Sequence, residues 1–198
     1  GNCRSMKNII TILAVSTFLN LNAQTYQSIV SLRPQAEQGV YYKDIDNVLN
    51  TFEGTYEYNG PDFYFKLVLE KKVCSNNNNY YWTDVLKGTY QYIVNGVEVN
   101  FLNDPLAGDN NPARIQSRWI INGNPRYCPD CLQNEKWLRG YISDRVNKKA
   151  ADLFMAKKVV NGVEGLQLWL AISAAAKEPW ESDNPIFLPI GEFFVRKL

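Results

Sequence analysis

Apolar and polar residues alternate with a period of two along most of this chain. In "FYFKLVLE" (Phe63–Glu70), residues Phe63, Phe65, Leu67 and Leu69 fall on one face. In "LQLWLAI" (Leu166–Ile172), Leu166, Leu168, Leu170 and Ile172 do the same. Successive side chains of a strand point to opposite sides, so this spacing predicts half-buried strands, whereas a helical stripe recurs every three to four residues.

Asn-Gly pairs punctuate the pattern. "YNGPD" (Tyr58–Asp62) joins "GTYEY" to the strand starting at Phe63. "VNGV" (Val94–Val97) joins "GTYQYIV" to "VEVNFL", and a second "VNGV" (Val160–Val163) joins "DLFMAKKV" to "LQLWLAI". Asn and Gly tolerate the positive φ angles that a two-residue hairpin needs. Further strands are expected over Ala113–Asn122, Lys136–Ser143 and Phe187–Lys197, with an edge strand before Arg33. Only "DIDNVLNTF", Asp44–Phe52, reads as one or two helical turns, with Asp44 or Asp46 as the N-cap. The expected fold is all-β, an antiparallel meander of about 8–10 strands. A lipocalin-like barrel is favoured over a sandwich, because closure removes exposed edges.

The start of the chain has a different character. From Met6 it reads "MKNIITILAVSTFLNLNAQ", a lysine followed by an apolar run from Ile9 to Leu21 and the small residue Ala23. This is the layout of a secretory signal peptide, too short for a membrane span. The expected division is a misread or non-native start over residues 1–5, which includes Cys3, a signal peptide over 6–23, and a single domain over 24–198. The protein is then secreted or periplasmic after cleavage near Ala23. No cysteine directly follows the apolar run, so no lipid anchor is expected, and no later run is long enough to span a bilayer. Loss of the leader removes Arg4 and Lys7 and no acid, taking the formal charge from +1 to −1. That balance offers no footprint for nucleic acid or an anionic membrane surface.

Candidate chemistry is sparse. The chain contains no histidine, which removes the commonest general base and any Ser-His or Cys-His nucleophile pair. There is no glycine-rich phosphate loop. No catalytic residue, metal site or cofactor is assigned. In "RYCPDCL" (Arg126–Leu132), Cys128 and Cys131 sit in a loop between two expected strands, with no helix following to lower a thiol pKa. Zinc usually takes four Cys or His ligands, which Cys74, Cys128 and Cys131 alone do not supply. A disulfide suits an oxidising compartment. Cys128–Cys131 is the leading pair, a turn staple, and Cys74 is the alternative partner, closing a far longer loop. Either way one thiol is left over. Asp44, Asp46, Asp104 and Asp109 read first as caps and turn residues.

The segment "GVYYKDIDNVLNTFEGTYEY" (Gly39–Tyr58) resembles a family of short secreted Bacteroidota proteins catalogued as a domain of unknown function, whose opening motif is "YYKDxxNxLxxxxGTW". Tyr41, Tyr42, Lys43, Asp44, Asn47, Leu49, Gly54 and Thr55 match it, and Tyr56 stands where the family has Trp. The tail "PIFLPIGEFFVRKL" is compatible. The resemblance implies an extracytoplasmic β-rich protein and brings no catalytic residue. Tyr41, Tyr42, Lys43 and Asp44 would anchor the opening segment across one barrel end. A looser likeness is to lipocalin-type barrels, which implies that Gly54 and Tyr56 open the first barrel strand and that a basic residue of the last strand, Arg196 or Lys197, packs over Tyr56 to close the barrel.

The expected role is therefore non-enzymatic. The first expectation is a barrel holding a small apolar ligand, and the alternative is an envelope interaction or scaffold protein with a solid core. A hydrolase using converging carboxylates ranks third. A bore cavity of several hundred Å3 is the mark of the first, and a filled bore of the second.

Overall fold

The computed structural model describes residues 25–31, 36–100, 115–122, 132, 134–144, 149–172 and 188–198. In chain order the strands are β1 (Tyr26–Ser28), β2 (Tyr41–Lys43), β3 (Gly54–Asn59), β4 (Phe63–Asn77), β5 (Tyr81–Val94), β6 (Val97–Asn100), β7 (Ile115–Asn122), β8 (Lys136–Asp144), β9 (Lys149–Val160), β10 (Val163–Ile172) and β11 (Gly191–Lys197). Eight of them, β3, β4, β5, β7, β8, β9, β10 and β11, form a closed antiparallel barrel in which neighbours in sequence are neighbours in space. β7 joins β5 through Leu86↔Ser117 and Gly88↔Ile115. The ring closes where β11 meets β3, through Arg196↔Glu57 and Lys197↔Tyr56. The fold is thus an all-β, lipocalin-like barrel, and the sandwich alternative is excluded by that last pairing.

Two of the three Asn-Gly hairpins form as the local chemistry dictates. Asn95 and Gly96 take φ 51° and 73°, and Asn161 and Gly162 take 51° and 79°. Each pair is flanked by valines that face one another, Val94↔Val97 and Val160↔Val163. "YNGPD" differs. Asn59 stays in β3 opposite Tyr64, and the turn runs over 60–62, closed by the Gly60 N–H to the Phe63 carbonyl at 3.1 Å. Pro61 accounts for this, because it fixes its own φ and biases Gly60 away from a hairpin-turn geometry. The polar run "SNNNN" conceals another hairpin, with Asn78 and Asn79 at φ 52° and 60° joining β4 to β5.

The opening segment also departs from expectation. The helical turn is a 3-10 turn over Leu49–Phe52, shorter than 44–52, with a second 3-10 turn at Ile29–Ser31. β1 and β2 are parallel to one another, and β2 runs parallel to β5 through Tyr41↔Trp82 and Tyr42↔Thr83. The expected edge strand before Arg33 is β1. Among the described residues no helix is long and apolar enough to cross a membrane.

Inside the barrel, cross-strand partners share a face. β3, β4, β5 and β11 supply an aromatic wall of Tyr58, Phe63, Phe65, Tyr90, Tyr92 and Phe193, whose ring centroids lie 4.6–6.4 Å apart. β7 to β10 supply an aliphatic wall that includes Leu138, Leu153, Met155 and Leu168, and both walls belong to one continuous core. A Cβ at Gly140 would lie 2.1 Å from the Gln116 carbonyl oxygen, so β7 approaches β8 there only because the side chain is absent. A second, smaller cluster of Trp137, Phe154 and Ala156, with Ile121 and Trp169 against it, occupies the opposite face of β7–β10.

Candidate functional site

The matched opening residues converge on one end of the barrel with two side chains from the strands. Asp84, buried in β5, accepts the Tyr41 phenol at 2.5 Å and the Cys74 N–H at 3.0 Å through Oδ1, and the Asp44 N–H at 2.9 Å through Oδ2. Asp44, also buried, accepts the Val48 and Leu49 N–H groups at 2.9 Å each, and Lys71 Nζ at 2.8 Å. Val48, and neither Asp44 nor Asp46, is the N-cap residue of the 3-10 turn; Asp44 instead reaches the N–H groups at its start from four residues upstream. Lys71 also donates to Asn50 Oδ1 at 2.7 Å, and its backbone N–H reaches Glu53 Oε1 at 2.7 Å.

Local sequence explains the geometry. Asn47 takes φ 53°, a left-handed position that Asn tolerates, and so returns the chain toward the Asp44 carboxylate. Leu49 and Phe52 then plug this end of the core at 0% and 1% exposure. Tyr42 accepts the Glu37 N–H at 2.9 Å and packs edge-on against Tyr81. Lys43 is exposed. Burial first, then the bond to Asp84, raises the Tyr41 pKa well above the usual phenol value.

Chemically this cluster holds rather than reacts. Each oxygen of both carboxylates already accepts at least one protein donor. The Asp44–Lys71 pair is shielded, with side-chain exposures of 1% and 10%. A buried pair with this many donors fixes one arrangement of the segment, and removing one partner leaves an uncompensated charge. We call it the latch.

At the same end, Gly54 and Tyr56 open the first barrel strand. The Tyr56 hydroxyl donates to the Phe52 carbonyl at 3.0 Å and lies 3.3 Å from that of Glu53. Burial, with the Glu164 charge beside it, pushes its pKa up to about 12. The partner across the closing seam is Lys197, directly opposite Tyr56; a Cβ at Gly54 would sit 3.2 Å from Lys197 Cε. Arg196 stands opposite Glu57, on the other face of the seam, and binds the Glu57 carboxylate. Strand alternation thus places Lys197, and not Arg196, on the face of Tyr56. Thr55 lies between them in β3, opposite Val68.

Two described cavities flank this seam. A groove of about 530 Å3 is lined by Glu57, Asn59, Val160, Val163, Phe194 and Arg196 among others, and a depression of about 130 Å3 by Tyr56, Lys157, Glu164 and Lys197 among others. Neither is lined by the aromatic wall apart from Tyr58 in the larger groove. No group of three or more His, Cys, Asp or Glu among the described residues could hold a metal.

Cys74 lies in the β-bulge of β4 between Lys72 and Ser75, at φ 51°, and is disulfide-bonded. Cys3, Cys128 and Cys131 all lie outside the described residues, as do the 6–23 leader, Asp104 and Asp109. Asp84 and Lys71 were not singled out by the sequence. Lys71 continues the Phe63–Leu69 alternation as a charge at an inward position, and that was the available signal.

A family model matches residues 6–173, and its description is a family of unknown function, DUF6705. No curated protein and no solved structure matches the chain.

Proposed function

The chain belongs to DUF6705, a family of unknown function, and we propose that it is an extracytoplasmic protein that works by binding rather than catalysis, as an interaction or scaffold barrel of the cell envelope or exterior. The leader-like run over 6–23 and the disulfide at Cys74 support the compartment. The latch carboxylates are committed to backbone and lysine donors, and no histidine is available as a base.

The observation that carries the reading is the packing of the bore. Phe65 touches Tyr90, Tyr92 and Phe193 at centroid distances of 5.6, 6.4 and 5.5 Å, and the aliphatic wall continues the same core. This packing favours a filled bore over one that carries a ligand. A second reading, a small apolar ligand, is favoured by one feature: Tyr58, Phe63 and Phe193 are only half-buried at the end of the bore away from the latch. Native mass spectrometry of protein isolated from its own compartment separates the two. The bare polypeptide mass is expected. A lipid or other apolar molecule retained at one per chain overturns the solid-barrel reading in favour of the second.

A further inference from the structure

Arg118 in β7 has no register partner in β8. The β7–β8 register steps from Ser117↔Gly140 to Trp119↔Arg139, so Arg118 is the extra residue of a bulge with no partner opposite. Bulges of this kind re-aim a side chain. Here the guanidinium carbon is carried to 4.7 Å from the Trp119 ring centroid and 5.8 Å from that of Tyr81. Nε is buried and has no hydrogen-bond partner, the one such side-chain nitrogen or oxygen among the described residues. The described arginines and lysines that form ion pairs, Lys71, Lys72, Arg139, Lys158 and Arg196, each have a carboxylate within 4 Å. Arg118 has two aromatic rings and, among the described residues, no acid.

A buried unpaired N–H is costly and calls for an explanation beyond packing. Stacking on rings orients a guanidinium but satisfies none of its five N–H donors. Those donors form a planar fork whose spacing matches two oxygens of a carboxylate or phosphate. The surroundings suit an anion. Tyr141, which feels the Arg118 charge, donates its own hydroxyl to Gln116 Oε1 at 2.9 Å.

We propose that Arg118, set on its bulge between Tyr81 and Trp119, is a binding residue for a small oxyanion, a carboxylate or phosphate group. None of these three residues lines either cavity beside the seam.

Nitrogen-15 spectra of the arginine Nε–H groups test this on the whole protein. The Arg118 signal is identified by its proximity to the Trp119 ring protons, and acetate and inorganic phosphate are titrated separately at constant ionic strength. The expected result is a saturable shift of the Arg118 Nε–H with at least one of the two, the responding probe naming the class. The Trp119 indole signal moves with the same midpoint. Arg118→Lys keeps the charge but loses the fork, and is expected to raise that midpoint at least tenfold. An Arg118 signal that neither probe moves to saturation overturns the proposal from the wild-type protein alone, even if the variant does not fold. Equal midpoints in wild type and Arg118→Lys also overturn it.

Discussion

The Tyr41 phenol donates to Asp84 Oδ1 at 2.5 Å across 43 residues of chain. This bond joins the opening segment to the barrel at a point where β2 and β5 already run side by side. The same carboxylate takes the Asp44 N–H, and Asp44 in turn takes Lys71 from β4. One short stretch is thereby fixed to two adjacent barrel strands by charge-assisted bonds, roughly twice as strong as neutral ones.

Replacing Asp84 with Asn puts an amide nitrogen where one oxygen accepts. Either the Tyr41 hydroxyl and Cys74 N–H or the Asp44 N–H then lose their acceptor. A loss of about 2–4 kcal/mol is expected, read as a lower urea midpoint. A change below about 0.5 kcal/mol would show that the latch is not a stability element.

Lys71→Met should cost more than removing the whole pair. It leaves the Asp44 carboxylate buried without its cation, with an expected loss of about 3–5 kcal/mol. The double variant Asp44→Asn/Lys71→Met removes both charges and is expected to be more stable than Lys71→Met alone. Chemical unfolding of the three proteins checks the order.

Gly140→Ala and Gly162→Ala separate close approach from turn strain. At Gly140 the new methyl meets backbone atoms at 2.1 and 2.6 Å. β7 and β8 must part, and a loss of several kcal/mol or outright misfolding is expected. At Gly162 nothing lies within 4 Å, but φ is +79°. There the expected loss is about 1 kcal/mol. Thermal unfolding of both variants tests the contrast.

Stability should fall at alkaline pH. Tyr56 has its pKa raised to about 12 in the folded protein, against about 10 in the unfolded chain. Below pH 10 both states carry the proton and the term is constant. Between pH 10 and 12 the unfolded state releases it first, so each unit costs up to about 1.4 kcal/mol at this site. Tyr41 shifts in the same direction. Tyr56→Phe is expected to be less stable at neutral pH, having lost its bonds to the Phe52 and Glu53 carbonyls, but to show a shallower alkaline decline. Equal slopes for wild type and variant would count against Tyr56 as the source.

Peptide mapping of unreduced protein should recover Cys74 only in a linked pair. The expected partner is the Cys128 or Cys131 peptide, a long-range closure worth about 4 kcal/mol on chain-entropy grounds. A free Cys74 thiol beside an intact Cys128–Cys131 bridge refutes this pairing and restores the turn staple.

Much of the architecture was legible locally. The period-two runs at Phe63–Leu69 and Leu166–Ile172 became β4 and β10, and Asn95-Gly96 and Asn161-Gly162 became hairpin turns. Strand alternation and positive-φ tolerance are properties of a few neighbouring residues, so a one-dimensional reading carries them. "SNNNN" escaped because a run of four asparagines does not say which two will take the left-handed positions.

What only the tertiary structure decided lies at long separation. Arg196 finds Glu57 139 residues away, and that register puts Lys197 rather than Arg196 opposite Tyr56. A shift of one residue reverses every side chain, and local pattern does not set the register between distant strands. Asp84 and Lys71 looked like ordinary polar residues in long strands, and became the latch only when β2 was laid along β5. Arg118 likewise reads as one more charge in "SRWI"; that its buried Nε has no partner among the described residues goes with a bulge created by how β7 meets β8. The sequence by itself determined an all-β meander without histidine. Closure, the latch and the stranded guanidinium were decided by pairings between distant segments, whose energies depend on contacts that no short stretch contains.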